Sequence, residues 1–454
     1  SNITSALSYN ALSNSQIISL VKKLDFKNSD DLLKYIQTNP DNYSMSVLCK
    51  IAEYANTKRT EEAAFFTNKE LITEMMNRIN VIDKDSISIL EPSCGVGNFV
   101  PLILKKFENK KVQLDLLDID DDSLKIAKVL LSKYVNSNIS IRFIRDDFLV
   151  HHFDEKYDYV IGNPPFDKLK SSNKMLNTYK KHAINKDTNN ICSFFLDKAL
   201  EIGDYISFVF PKFLLNTPEF SKTREYLRFK CVESIIDYGE KGFPGVLIET
   251  IAININNLKK PGNTLVFSAT KNIDLNQKQS YIFDAKYPYW IIYRNDAFDK
   301  VANKIEFDVF DVFRDRQITN AVLKDKGDIQ VIKARNIDDK GENIFSISGY
   351  DSYLSSEDAK KLSVYSFINR DDVYLTPNMT YYPRLIKKPL GTIVNGSVAI
   401  LIPKKQRVIT EKQRAYFSSK EYRDFYQIAR NYQTRSLNVD ACSVFFYGVL
   451  KGGE

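Results

Sequence analysis

From about Glu61 to Asn257, short apolar runs bounded by turn residues alternate with amphipathic segments, and that alternation leaves few architectures open. The runs are Ser88–Leu90, Val112–Leu117, Ile139–Ile144, Tyr157–Ile161 and Tyr205–Phe210. Strands that alternate with helices predict an α/β, doubly wound Rossmann-like sheet, mostly parallel, whose ligands gather at the carboxyl edge of the strands. Ahead of it, residues 1–60 are low in Gly and Pro and carry helix starts such as Ser29-Asp30-Asp31 before Leu32, Leu33 and Ile36, the pattern of a helical extension. Lys259–Asn263 reads as a turn near the end of the α/β unit. Beyond it come short strands, many tyrosines and phenylalanines, and loops such as Pro377–Met379 and Lys387–Gly391. The expected organisation is a helical extension over 1–60, an α/β domain over 61–260 and a separate α+β domain over 261–454.

A chain of 454 residues with 43% hydrophobic content can bury two or three cores. It has no apolar run near the roughly 18 residues of a membrane span and no signal-peptide layout at its start, so a cytoplasmic protein without a membrane partner is expected. The five cysteines are scattered, none in a CxxC or Cys/His spacing, and only three histidines occur. His151 and His152 are adjacent and point apart on any regular element. Neither a disulfide framework nor a metal site is expected. The net charge of +7 is concentrated: Tyr381–Arg435 holds twelve Lys/Arg against three acids. That stretch, with Lys404, Lys405, Arg407 and Arg435, reads either as a phosphate-facing surface or as a solvated basic face.

Four strand ends carry the candidate chemistry. The first run leads into Glu91-Pro92-Ser93-Cys94-Gly95-Val96-Gly97, a turn whose glycines let backbone approach a ligand and whose following helix offers free N–H groups. A lone Gly-x-Gly is weak evidence. The second run ends in Asp118-Ile119-Asp120, where a carboxylate can accept both hydroxyls of a ribose or simply cap a turn. The third ends near Asp146-Asp147-Phe148, and the fourth in Asn163-Pro164-Pro165-Phe166. Two successive prolines lack N–H groups and cannot continue a sheet, so this segment leaves the carboxyl edge rigidly.

Taken in order, Phe66-Thr67-Asn68, Glu91–Gly97, Asp118, Asp147-Phe148 and Asn163–Phe166 resemble the gamma-class adenine-N6 DNA methyltransferases of restriction–modification systems, in which a target-recognition domain follows the catalytic one. The resemblance covers roughly Phe65–Asn257 and, more loosely, the C-terminal domain. It implies S-adenosyl-L-methionine as cofactor and double-stranded DNA as substrate. It places Thr67, Glu91, Pro92, Gly95 and Gly97 at the methionine end of the cofactor, Asp118 on its ribose, and Ile119, Asp147, Phe148 and Phe195 around its adenine. Asn163, Pro164, Pro165 and Phe166 become the catalytic segment, and Phe243, in Lys241-Gly-Phe-Pro-Gly245, helps hold a flipped base. Two positions depart from the family: Asn68 stands where proline is common, and Phe166 where tyrosine is.

The chemistry of the segment agrees with that assignment. The amino nitrogen of adenine has its lone pair delocalised into the ring. If the Asn163 side-chain oxygen and the Pro164 carbonyl each accept one N–H, the nitrogen turns toward tetrahedral geometry and its lone pair becomes available. Phe166 stacked on the extruded base contributes about 1–3 kcal/mol, against an extrusion cost of a few kcal/mol. Between them and the next helix, Asp167–Asn190 carries six lysines and reads as a loop over the DNA backbone or as an exposed surface loop. Arginines beside amides at Phe313–Ile318, Lys333–Asn336 and Asn431–Arg435 are the side chains that read base edges, with no single contact assigned. RNA adenine, a protein glutamine amide and a non-catalytic specificity subunit are the competing readings. No spacing of nuclease acids and lysine occurs, so a cognate endonuclease is expected on a separate chain.

Overall fold

The computed structural model describes residues 12–59, 69–241, 248–433 and 437–452, the side chains of 57–59 excepted. Phe66, Thr67, Asn68, Phe243 and Arg435 lie outside the described residues. The chain divides into two units, Ser1–Leu214 with Lys222–Ser280, and Leu215–Ser221 with Tyr281–Glu454.

The first unit begins with helices α1 (Asn14–Leu24), α2 (Ser29–Thr38), α3 (Met45–Arg59) and α4 (Lys69–Asn77). Their starts are explained by side-chain caps. Ser13 and Gln16 form a reciprocal capping box on α1, and Asn28 accepts the Asp31 N–H at 2.9 Å on α2, with Asp30 and Asp31 in its first turn. Then follow β1 (Ser86–Glu91), α5 (Val100–Lys106), β2 (Lys111–Asp118), α6 (Asp121–Leu131), β3 (Ile139–Arg145), β4 (Tyr157–Gly162), α7 (Leu176–Lys181), α8 (Ile191–Ile202), β5 (Gly203–Pro211), β6 (Cys231–Gly239), β7 (Thr250–Asn256), β8 (Asn263–Ser268) and β9 (Ile273–Lys278). The nine strands form one sheet in the order β3-β2-β1-β4-β5-β7-β6-β8-β9. From β3 to β5 every pair is parallel, and β7 enters antiparallel to both neighbours. All six residues of β4 are buried, as expected of a central parallel strand covered on both faces. The direction of winding reverses between β1 and β4. Their carboxyl ends, Glu91 and Gly162, therefore open onto the crevice where open α/β sheets bind ligands.

Two expectations about boundaries meet a different structure. The sheet continues past residue 260 through β8 and β9, with β8 parallel to β6 and β9 antiparallel to β8. Lys259–Asn263 is thus a turn inside the sheet. The clue is the alternation in β8, where Thr264, Val266 and Ser268 are buried while Asn263 and Leu265 face water. At the other end, the N-terminal helices share the core of the sheet. Ile17, Val21, Leu32, Ile36, Leu48 and Ile51 belong to the same buried cluster as Ile89, Leu114 and Ile126, and the Asn56 amide donates to Ser123 on α6 at 2.8 Å.

The second unit is α+β. It contains α9 (Asp296–Ala302), β10 (Ile305–Glu306), β11 (Phe310–Phe313), β12 (Ile329–Ile332), β13 (Ser352–Leu354), β14 (Tyr374–Pro377), β15 (Ile386–Lys387), β16 (Thr392–Val394), β17 (Val398–Pro403), α10 (Lys420–Ala429) and β18 (Val449–Leu450). The strands make small sheets, β11-β17-β14-β15, β13-β12-β16 and β10-β18. Val331, Ile332, Leu375, Ile393, Val398 and Ile400 form one core. Tyr287, Phe298, Phe307, Phe425 and Phe446 form an aromatic one, with Phe298 and Phe425 stacked at 4.6 Å. The density of Tyr and Phe in this half of the sequence is largely consumed by that packing.

Candidate functional site

Glycines shape the crevice between β1 and β4, two by a positive φ and one of these also by a close approach. Gly97 has φ +88°, and a Cβ there would lie 2.6 Å from Leu131 Cδ1 on α6. Gly95 has φ +55° and turns its N–H onto Asp118 Oδ2 at 2.8 Å. Asp118 Oδ1 accepts the Asp120 N–H at 2.9 Å, so the carboxylate at the end of β2 fixes the glycine turn at the end of β1. Ile119 beside it is 66% exposed, an apolar side chain left open at the edge of the crevice. Glu91 is buried, and its Oε2 has no partner among the described residues. Burial, and then the nearby Asp118 charge, hold the Glu91 carboxyl well above the usual range; burial also raises Asp118, against the N–H groups it accepts.

The Asn163–Phe166 segment leaves β4 beside this turn. A Cβ on Gly162 would sit 3.4 Å from Glu91 Cγ and Pro92 Cδ, and the Ser93 hydroxyl donates to the Asn163 carbonyl at 3.1 Å. Asn163 Oδ1 is buried without a partner among the described residues. A buried acceptor left open costs free energy, and at the carboxyl edge of the sheet it is available to a donor from outside. Phe166 is half-buried. At the end of β3, Asp147 Oδ1 accepts the Leu149 N–H at 3.0 Å and Oδ2 the Tyr179 hydroxyl. Phe148 is 1% exposed and packs against Phe195 with ring centres 4.9 Å apart.

Two residues that sequence reasoning passed over brace this site. Asn190 is buried; its Nδ2 donates to the Phe166 carbonyl at 3.1 Å while its Oδ1 caps α8 through the Cys192 N–H at 3.1 Å. Tyr179 on α7 holds Asp147. Both belong to the lysine-rich segment, which is anchored rather than loose. Leu176 and Ala183 pack on Phe194, and Asp197 accepts the Ile184 and Asn185 N–H groups and the Tyr226 hydroxyl. Burial pushes Asp197 up to about 6. A raised carboxyl stabilises the fold fully below the unfolded value and loses that contribution as pH rises through the folded one. Stability is therefore expected to fall by about 3 kcal/mol between roughly pH 4 and 6 on account of this group. Urea unfolding of Asp197→Asn across that range should show the decline reduced; an unchanged decline would assign it elsewhere.

In the second unit the basic stretch is less basic at the surface than in the sequence. Arg384, Lys388, Arg414 and Arg430 are buried, and burial lowers Lys388 to about 8. Lys404 pairs with Asp308 at 2.7 Å and approaches Asp311 at 3.9 Å, and Arg407 pairs with Glu306. Lys405 stays exposed. Asn336, one of the amides set beside arginines, is fully buried and serves Phe345 and Asp351. Among the described residues there is no group of His, Cys, Asp and Glu able to hold a metal, and no helix long and apolar enough to cross a membrane.

Residues 22–243 match the family model described as Eco57I restriction-modification methylase. The stretch belongs to the restriction–modification methylase family. The methylase match takes in Glu91–Gly97, Asp118, Asp147 and Asn163–Phe166. The type II methyltransferase M.CvrRI of Paramecium bursaria Chlorella virus XZ-6E is 27% identical over 172 residues, 37% of this chain and 40% of its own length. The type II methyltransferase M.HincII of Haemophilus influenzae is 25% identical over 415 residues, 80% of this chain and 77% of its own. Among solved structures, the type IIG restriction endonuclease BpuSI aligns with 90% of this chain and 61% of its own, at 13% identity and a TM-score of 0.48. The chain spans about two fifths of the length of several curated relatives of its methylase domain, M.CvrRI among them.

Proposed function

We propose that this chain is an adenine-N6 DNA methyltransferase that takes its methyl group from S-adenosylmethionine and acts on a base turned out of the duplex, as the modification partner of a restriction–modification system. The observation that carries the reading is the buried Asn163 Oδ1, without a partner among the described residues, at the carboxyl end of β4 beside the glycine turn of β1. The residues of the crevice fit the cofactor. Glu91 offers a buried acceptor for a cationic amino acid end, Asp118 at the end of β2 an acceptor for a ribose, and exposed Ile119 apolar surface for a purine. Bound there, S-adenosylmethionine supplies an electrophilic methyl group. Asn163 Oδ1 and the Pro164 carbonyl hold the two amino protons of adenine and make its lone pair available, and Phe166 stacks on the base. Asp147 takes the cofactor's amino group on the lone pairs that Leu149 and Tyr179 leave free.

The test is incubation of the protein with radiolabelled S-adenosylmethionine and duplex DNA, followed by digestion to nucleosides. Label is expected in N6-methyldeoxyadenosine. Label in cytosine, in RNA alone or in protein would replace the reading. The cofactor assignment has a separate check by calorimetry. Asp118→Ala is expected to weaken cofactor binding by about 1.5–3 kcal/mol, since a charged acceptor is lost. The Gly95 and Asp120 N–H groups lose their acceptor in the same variant. Unchanged affinity would remove Asp118 from the site.

A further inference from the structure

Eight residues join β14 to β15, and their tip carries three large side chains into water: Met379, Tyr381 and Tyr382 are 52%, 46% and 53% exposed. Scattered exposed apolar side chains are ordinary, whereas three within four residues, two of them rings, form a patch of the kind that marks a contact. The backbone beneath them is fixed. The Thr380 carbonyl accepts Arg430 Nη1 at 2.6 Å, the Tyr381 carbonyl accepts Gln427 Nε2 at 2.8 Å and the Tyr382 carbonyl accepts Arg384 Nη1 at 2.9 Å. Asn378 closes the base, donating to Asn438 Oδ1 at 2.8 Å and accepting the Val439 N–H at 2.9 Å. The rings are thus displayed on a rigid support, which keeps the entropy cost of engaging them low.

The support is itself charged. Arg430 is 1% exposed and Arg384 8%, and among the described residues neither forms an ion pair. Among the described residues Arg430 Nε and Nη2 and Arg384 Nε have no acceptor, and beyond the Thr380 carbonyl the Tyr426 ring, 5.4 Å from the Arg430 guanidinium, offers partial compensation. A third guanidinium, Arg423, lies 4.7 Å over the Tyr382 ring. Burying cations without anions is costly, and the cost is offset when a polyanion closes over them. An apolar protein surface would leave that charge uncompensated. Nucleic acid supplies both halves, phosphates for the cations and base faces for the rings.

We propose that the Asn378–Arg384 loop is a DNA-contacting loop, in which Tyr381 and Tyr382 stack on base faces while Arg384, Arg423 and Arg430 draw in the phosphates around them. The assignment rests on the DNA reading given above and names the element that grips the duplex. It also accounts for where the DNA contact lies once Lys404 and Arg407 are spent on Asp308 and Glu306.

Anisotropy titrations of the full chain onto a short fluorescein-labelled duplex, fully paired or with one mismatched pair to expose base faces, test it at several salt concentrations. Tyr381→Ala with Tyr382→Ala is expected to lose roughly tenfold or more in affinity for the mismatched duplex, with the slope of log K on log salt unchanged because no cation has been removed. Tyr381→Phe with Tyr382→Phe should bind like the unaltered chain, since stacking needs the ring and not the hydroxyl. Equal affinity for the alanine pair, an equal loss in the phenylalanine pair, or a loss accompanied by a lower melting temperature would overturn the proposal. Failure of the DNA reading looks different: the unaltered chain would then transfer no methyl group to DNA.

Discussion

Replacing Asn163 with alanine is expected to slow single-turnover methyl transfer roughly 100- to 1000-fold, the loss seen when one preorganised acceptor or donor is taken from a reacting centre. Cofactor and DNA affinity should stay near those of the unaltered chain. The separation follows from the geometry. Asn163 Oδ1 has no partner within the described residues, so its removal releases nothing that holds the fold. The Ser93 contact goes to the backbone carbonyl of Asn163 and survives the change. Phe166→Ala should behave differently, weakening the turned-out state of the base as well as the rate, because stacking is lost. Phe166→Tyr should be tolerated. Single-turnover rates beside the two affinities distinguish these cases, and a wild-type rate for Asn163→Ala would refute the proposed chemistry.

The second large effect is expected at Asn190, which touches neither base nor cofactor in this account and acts as a positioning residue. Its amide donates to the Phe166 carbonyl and its oxygen caps α8, the helix that carries Phe194 and Phe195. Asn190→Asp separates the two duties. Aspartate caps a helix as well as asparagine does, so the cap survives, while the carboxylate in this buried site costs some stability of its own. It has no N–H to donate, and a carboxylate oxygen facing the Phe166 carbonyl repels it. A displacement of the segment by about 1 Å can cost on the order of 100-fold in rate. The expected result, measured well below the melting temperature of the variant, is a large fall in kcat, little change in cofactor affinity, and an altered fluorescence of 2-aminopurine placed at the target position, which reports how the base is held. An unchanged kcat and an unchanged 2-aminopurine fluorescence in the folded variant would make Asn190 a helix cap and nothing more.

The parts of this protein that could be read in its sequence are those where chain chemistry interrupts a regular pattern. Gly95 and Gly97 interrupt an apolar run, Pro164 and Pro165 forbid a strand to continue, and Asp118 follows the last buried residue of β2. Each interruption falls at a carboxyl strand end, and the fold brings them to one crevice. Asn190 and Tyr179 were not legible because their partners, Phe166 and Asp147, lie 24 and 32 positions away across a segment with no period of its own. Lys259–Asn263 reads as a turn near the end of the α/β unit, and only the strand pairing of β8 with β6 places it inside the sheet. Charge counting along Tyr381–Arg435 is blind in a third way, to burial and pairing. It weighs Arg430, buried under the β14–β15 loop, and Lys404, paired with Asp308, as if both faced solvent.

The central claim is that this chain places methyl groups on adenine in DNA through Asn163. It is tested most directly by sequencing-based mapping of methylated bases in DNA from a host that makes the unaltered chain, beside one that makes Asn163→Ala at equal level. The account predicts N6-methyladenine at one recurring short sequence in the first host and its absence in the second. Modified cytosine in place of adenine, or the same adenine pattern in both hosts, would contradict it.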